Sequence, residues 1–158
     1  MFMRKPSKDT EIRKFNVLTD SREQYPYIFP TTVRVTLPFG DYSVEYEGKA
    51  YYNWIIVERK GAVSELFQAS GSERERFERE LEKMQEVPCR LVLCEFDYLS
   101  IVNDQPPGRL PASSVYGSIC AWQVKYNVPF LFINNRRNAS NFLWKMFYEF
   151  VKHKILKY

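Results

Sequence analysis

The stretch Trp54-Ile55-Ile56-Val57-Glu58-Arg59-Lys60 places the strongest limit on the fold. An apolar run of this length reads as a sheet strand buried on both faces. It ends in one acid and two bases. Side chains alternate along a strand, so Glu58 and Lys60 point one way and Arg59 the other. A carboxylate and an ammonium at the end of a buried strand are costly unless something uses them. A divalent metal and a phosphodiester would use them. Upstream, Gly40-Asp41-Tyr42 puts a second acid at a turn into a strand.

The rest of the chain builds a sheet around this stretch. Residues up to 12 are polar and basic and read as a flexible tail. Phe15 to Asp20 and the alternating, β-branched Thr32 to Leu37 read as strands. Asp41 to Glu47 and Ala50 to Lys60 form a hairpin about Glu47-Gly48-Lys49, which brings Asp41 beside Glu58. Gly61 to Ala69 reads as a short helix. Ser72 to Glu86 is a longer one, with a Ser72/Glu75 capping box and an apolar stripe of Phe77, Leu81 and Met84. Glu75/Arg79 and Arg76/Glu80 are its surface pairs. Arg90 to Phe96 and Val128 to Ile133 are further strands. Ser113 to Tyr126, Ser-capped, and Ala139 to Leu156 are helices. Gln105-Pro106-Pro107-Gly108 marks a loop. The expected fold class is α/β, one domain over 13–158 with a mixed central sheet flanked by helices. The last helix carries an apolar stripe wide enough for core or for a dimer interface.

Composition narrows the function. The 158 residues carry a net charge of +4, which permits a nucleic-acid partner without demanding one. The three cysteines are odd in number and lack CxxC spacing, so neither a disulfide framework nor a zinc site is supported. A reducing, intracellular and soluble setting is expected, with no signal peptide and no membrane span. There is no GxxxxGK[ST] and no GxGxxG, so a nucleotide cofactor is not indicated. Trp54 and Trp122 read as core, and His153 as solvated. Tyr25, Tyr27 and Phe29 flank the charged stretch on a loop, either packed or available to stack on bases.

The candidate chemistry rests on Asp20, Glu23, Asp41, Glu58 and Lys60. Hydrolysis of a phosphodiester needs an activated water, neutralised phosphate charge and help for the leaving oxygen. One or two Mg²⁺ or Mn²⁺ ions held by carboxylates supply most of this. Asp41 and Glu58 are the expected first ligands, together with the backbone carbonyl of Arg59. Lys60 would orient water or stabilise developing charge. Asp20 or Glu23 would hold a second ion.

Four segments carry a longer pattern: Leu18-Thr19-Asp20-Ser21-Arg22-Glu23, Gly40-Asp41-Tyr42, Val57-Glu58-Arg59-Lys60, and Arg76-Phe77-Glu78-Arg79-Glu80-Leu81. In order and spacing it resembles the XPF-type nuclease domain (excision-repair cross-complementing group four) of the PD-(D/E)xK superfamily. The resemblance implies a restriction-endonuclease-like fold, dependence on Mg²⁺ or Mn²⁺, and cleavage of flapped or forked DNA in repair or recombination. It implies catalytic roles for Asp20, Glu23, Asp41, Glu58 and Lys60 and a supporting role for Arg22. Arg76 reads as a helix-surface ion pair or a DNA contact. The resemblance also implies a homodimer or a DNA-binding partner subunit. Two departures stand out. The family's acid after Glu-Arg-Lys falls on Ser64, with Glu65 next. The family's helix-hairpin-helix and helicase modules have no room here. A non-catalytic DNA-binding or scaffolding module, or a restriction-type or exonucleolytic enzyme on the same core, are the alternatives.

Overall fold

Seven strands form one mixed sheet in this computed structural model, which describes residues 5–104 and 110–158. They are β1 (Asn16–Asp20), β2 (Thr32–Val35), β3 (Tyr42–Tyr46), β4 (Lys49–Ala50), β5 (Ile55–Lys60), β6 (Cys89–Cys94) and β7 (Phe130–Phe132). The spatial order is β2-β1-β3-β5-β6-β7, with β4 paired to β3. β1/β2, β5/β6 and β6/β7 run parallel, while β3 is antiparallel to both β1 and β5. Parallel neighbours need a crossover. Helices α2 (Val63–Ser70) and α3 (Arg74–Met84) make the one between β5 and β6. Helices α4 (Ser100–Asn103) and α5 (Ala112–Tyr126) lie between β6 and β7. Between β1 and β2 the crossover is the loop of residues 21–31, which runs back from the end of β1 to the start of β2. The α/β sheet flanked by helices is the one expected from the sequence.

β5 shows why the apolar run is continuous. Ile55 and Val57 enter the core under α6 (Arg136–Phe150), and Ile56 enters the core under α2, α3 and α5. All three are fully buried, which removes roughly 1.5–3 kcal/mol worth of apolar surface from water per side chain. The alternation continues past Val57. Glu58 and Lys60 therefore emerge on the α2/α3 side and Arg59 on the α6 side.

Several boundaries differ from the sequence reading. The segment expected as a flexible tail carries helix α1 (Lys8–Ile12), because Ser7 caps the Thr10 N–H and Ile12 is buried. The Tyr148 and Tyr158 hydroxyls then bind Asp9 (2.8 Å) and Glu11 (2.6 Å). The Glu47-Gly48 turn forms as expected, both residues at positive φ. β4 is only two residues long, however, because Tyr51 to Trp54 coil into a turn in which the Trp54 and Ile55 N–H groups bind the Tyr51 carbonyl. Trp54 consequently sits at 53% exposure rather than in the core. Ser72 does not cap α3, because the chain leaves α2 in a tight turn, with Glu73 N–H on the Gln68 carbonyl and Arg74 N–H on Gly71. α5 starts from Pro111 rather than a serine cap, and ends on Asn127 in the left-handed region. α6 begins three residues earlier than expected because the Asn135 side chain accepts the Arg137 and Asn138 N–H groups, and it continues as a π-helical turn, Val151–Ile155. Most of its broad stripe is core: Leu143, Phe147 and Phe150 are buried against the sheet, while Phe142 is 42% exposed. Of the proline–glycine loop, residues 105–109 lie outside the described residues.

Candidate active site

The β3–β5 register brings the two halves of the charged pattern together. Tyr42 pairs with Val57, and the Asp41 N–H donates to the Val57 carbonyl at 2.9 Å. Further along, the Asp41 side chain replaces the ladder: its Oδ2 accepts the Arg59 N–H at 2.7 Å. The Asp41 and Glu58 carboxyls approach closely enough to share a hydrogen bond when one of them carries a proton. Lys60 Nζ lies 3.4 Å from Glu58 Oε1 and 4.4 Å from the centre of the Phe77 ring on α3.

Gly40 shapes the turn into this corner. Its φ is +71°, and a Cβ there would stand 2.5 Å from Ile56 Cγ1. The backbone conformation and the lack of space both require glycine. Its N–H donates to Glu80 Oε2 of α3 at 3.2 Å. That contact draws Glu80 inward and explains why Arg76 pairs with Glu73 (3.5 Å) and not with Glu80.

The electrostatics are those of crowded acids. Burial, then the charge of Glu58, holds the Asp41 carboxyl well above its ordinary range. Burial also raises Glu58, against the pull of Lys60. Burial disfavours the Lys60 ammonium, but Glu58, Asp41 and Glu65 outweigh it, so Lys60 stays protonated. It can stabilise negative charge and cannot serve as a base at neutral pH.

Asp20 and Glu23 reach the same cavity differently. Asp20 is buried, with Oδ2 on Arg22 Nε (2.9 Å) and Oδ1 on the Leu37 N–H (2.9 Å) and Arg22 Nη2 (3.1 Å). Burial pushes its carboxyl up, and these hydrogen bonds outweigh it and hold it below the ordinary value. Arg22 also donates to the Leu37 carbonyl at 2.8 Å, so the pair pins the turn that leads to Gly40. Among the described residues the Glu23 side chain meets one partner, Arg59 Nη1 at 3.5 Å, and burial raises its carboxyl.

Arg59 works on the opposite face, as the alternation requires. It makes a two-pronged pair with Glu95 (2.9 and 2.6 Å), donates to the Tyr25 carbonyl (3.0 Å) and lies 4.6 Å over the Tyr27 ring. Arg136 of α6 covers the same ring at 5.1 Å and binds the Tyr25 and Pro26 carbonyls.

A cavity of about 360 Å³ opens above these groups. Asp20, Arg22, Glu23, Asp41, Glu58, Arg59, Lys60 and Arg76, every sequence-derived candidate, line it. Among the described residues seven acidic and four basic ones line it altogether, the other acids being Glu65, Glu73 and Glu80. Such a surplus of carboxylates repels phosphate and favours a cation. Asp41, Glu58 and the adjoining Arg59 main chain are oxygen donors of the kind Mg²⁺ or Mn²⁺ takes while keeping water ligands. Among the described residues no group of three or more His, Cys, Asp or Glu comes together in an arrangement that could by itself hold a metal ion.

The family model of the ERCC4 domain matches residues 9–146. The chain belongs to the ERCC4 domain family. Its fold is similar to XPF from Aeropyrum pernix, with a TM-score of 0.63 at 18% identity over 87% of this chain and 61% of that one. XPF from Aeropyrum pernix in complex with DNA gives a TM-score of 0.62 at 19% identity, over 85% of this chain and 63% of that one. The chain thus spans about three fifths of the length of these solved relatives. No curated protein matches the sequence.

In this ERCC4 domain the acid after Glu-Arg-Lys has another use. Ser64 is exposed on α2, and the Glu65 carboxylate turns back to accept the Gly61 and Ala62 N–H groups (2.9 Å to Ala62). Glu65 is the N-terminal cap of α2, placed on the cavity wall. Sequence reasoning missed Glu80 and Glu95. The only signal for Glu95 was its place just past an apolar strand. The parallel register carries Lys60 opposite Cys94 and so brings Glu95 beside the end of β5. No helix of the described residues is long and apolar enough to cross a membrane.

Proposed function

We propose that this ERCC4 domain is a metal-dependent endonuclease that hydrolyses phosphodiester bonds in branched, flapped or partly single-stranded DNA, in repair or recombination. The observation that carries the reading is the convergence of Asp41, Glu58 and Lys60 at the end of β5, inside an acid-rich cavity. Mg²⁺ or Mn²⁺, when bound, supplies Lewis-acid activation of the phosphate and a lowered pKa for the attacking water. Asp41, Glu58 and the Arg59 carbonyl would hold it. Lys60, kept protonated by its acidic neighbours, stabilises charge that builds on the phosphate in the transition state. For a second ion Glu23 is the better candidate, because both Asp20 oxygens are already engaged. Asp20 and Arg22 hold the Gly40 turn, and the exposed Arg76 would meet a phosphate. The match to a DNA-bound relative supports DNA as substrate.

The reading includes pairing with a second copy or a DNA-binding subunit, to which the exposed Tyr98, Leu99 and Val102 offer an apolar patch. It also places the chain in a reducing, intracellular compartment, consistent with free thiols at Cys89, Cys94 and Cys120.

The test is cleavage of end-labelled flap, fork and duplex DNA with Mg²⁺ or Mn²⁺. Wild type should cut near the junction and Asp41→Ala should not. Lys60→Ala should lose roughly 10²–10³-fold in rate, as for removal of one transition-state donor. Mn²⁺ should raise the melting temperature of wild type and not of Asp41→Ala. If wild type and Asp41→Ala are equally inert on every substrate, the enzyme reading falls and the scaffold reading takes its place.

A further inference from the structure

The crossover loop that borders the catalytic cavity builds a second concavity further along its length. Arg59 and Arg136 grip the loop at the Tyr25 and Pro26 carbonyls, beside the cavity. Two residues on, Ile28 is 93% exposed, and Ile28, Phe29 and Pro30 form one wall of a groove of about 340 Å³. The other wall is α6, through Ser140, Asn141 and Trp144, and Arg13 also lines the groove. Nothing in the proposed reaction uses this groove.

Its construction is that of a site for an unpaired strand. The floor is aromatic and rigid: Trp144 packs on Phe15 and Tyr148 at 5.5 and 5.7 Å, with the Arg13 guanidinium 5.1 Å over its ring. A base laid there meets Trp144 and Ile28 on apolar faces, and Asn141 offers an amide to a base edge. Two arginines supply positive charge, Arg13 in the lining and Arg137 on α6. Arg137 lies one helical turn before Asn141 on the same side of α6, exposed and without a side-chain partner among the described residues. Arg13 lies over the Trp144 and Tyr148 rings and pairs with Asp9 at 2.8 Å, half-exposed, an ion pair that contributes little in water and can yield to a phosphate. The groove and the cavity share the crossover loop, whose Glu23 lines one and whose Ile28 lines the other. Tyr25, 73% exposed, and Ile28 are three residues apart, a span of roughly 10 Å.

We infer that the groove between the Ile28–Pro30 segment and α6 binds the single-stranded arm of a branched DNA substrate, with bases against Trp144 and Ile28 and phosphates on Arg13 and Arg137. Stacking platforms joined by basic residues bind single strands without reading sequence. The surplus of acids in the catalytic cavity gives it little grip of its own on DNA, and this groove supplies it. The inference rests on the nuclease reading above, which it extends to the part of the substrate that is unpaired.

Binding of a fluorescein-labelled oligo-dT of about a dozen nucleotides is measured by anisotropy in EDTA, against a blunt duplex. Ile28→Asp and Arg137→Ala alter exposed side chains and leave the fold intact; Val124→Asp, on an equally exposed apolar residue of α5, is the control. Ile28→Asp should weaken oligo-dT binding about tenfold or more, in line with loss of a stacked base. Arg137→Ala should reduce the slope of log affinity against log salt by about 0.7, one single-strand phosphate contact. Val124→Asp should change neither. Flap cleavage should fall with binding, while the Mn²⁺-induced thermal shift persists. If Ile28→Asp binds oligo-dT as wild type does, the groove assignment is overturned and the nuclease reading stands. If Ile28→Asp instead converts a dimer to a monomer by light scattering, a second copy covers the groove and the assignment is equally overturned. Wild type that neither binds nor cleaves any DNA would overturn both.

Discussion

The main-chain N–H of Arg59 donates to the Asp41 carboxylate at 2.7 Å, so one catalytic candidate is held by the strand that carries the other, Glu58. The acids need no distant scaffold to meet. They also cannot move apart to relieve their repulsion, because the hydrogen bond and the Tyr42–Val57 pairing fix both backbones.

That constraint fixes the sign of a pH effect. Burial, then Glu58, raises the Asp41 carboxyl in the folded chain, whereas the unfolded carboxyl ionises near pH 4. The associated stability is fully present below about pH 4 and is lost as pH rises through the raised folded value. Metal-free protein should therefore melt at lower temperature as the buffer approaches neutrality. Asp41→Asn keeps an acceptor for the Arg59 N–H and removes a charge. It should flatten that slope and gain a few degrees at pH 7, while abolishing cleavage. Calorimetry in a chelating buffer measures both; an Asp41→Asn protein less stable than wild type at pH 7 would contradict the account.

Asp20 should behave in the opposite sense. Although burial pushes it up, its hydrogen bonds from Arg22 and Leu37 hold the carboxyl below its ordinary value. Its contribution is present above about pH 4 and is lost as pH falls through the lowered folded value. Asp20→Asn should weaken the protein by about 1 kcal/mol at pH 7 and lessen its acid sensitivity. Urea unfolding at pH 7 and pH 3 tests this through the difference between the two variants' midpoints.

Gly40→Ala should destabilise the fold by roughly 2–4 kcal/mol, from strain at positive φ and from overpacking against Ile56. Gly48→Ala is the comparison. That residue is also at positive φ but faces open space, so its loss should be limited to about 1 kcal/mol of backbone strain. Equal midpoints for the two in guanidinium chloride would rule out the steric part.

Arg59→Met would leave Glu95 buried without its guanidinium and would leave the Tyr25 carbonyl and the Tyr27 ring to Arg136 alone. Breaking one side of a buried pair costs about 3–5 kcal/mol. The double variant Arg59→Met/Glu95→Leu should recover a large part of that. A thermodynamic cycle over the four proteins measures the coupling directly.

What the sequence made legible was local. The acid pair lay within one hairpin, so Asp41 and Glu58 could be set side by side from turn chemistry alone. The alternation of Glu58, Arg59 and Lys60 followed from strand geometry and holds in three dimensions. Glu80 was illegible as a contact of Gly40 because 40 residues and a helix crossover separate them. Helix α1 was misread because its stability comes from Ile12 and from tyrosines at the far end of the chain, not from its own five residues. Ser72/Glu75 had the right spacing for a cap, but the α2–α3 turn absorbed Ser72. The exposure of Trp54 and Ile28 was equally hidden, since apolarity alone does not say on which side of a turn a residue will stand.

The contacts around the cavity differ widely in the length of chain they close. Arg59 to Asp41 spans 18 residues, Gly40 to Glu80 spans 40, and Arg136 to Tyr25 spans 111. Short closures lose less chain entropy and form first. That ordering predicts an early meander of β1, β3 and β5 carrying the acid corner, then the α3 wall, and last the α6 latch on the crossover loop. Substitutions in that latch act after the folding barrier. They should leave the refolding rate nearly unchanged and speed unfolding instead, so the lifetime of the native state is set at the helix farthest in sequence from the acids it encloses.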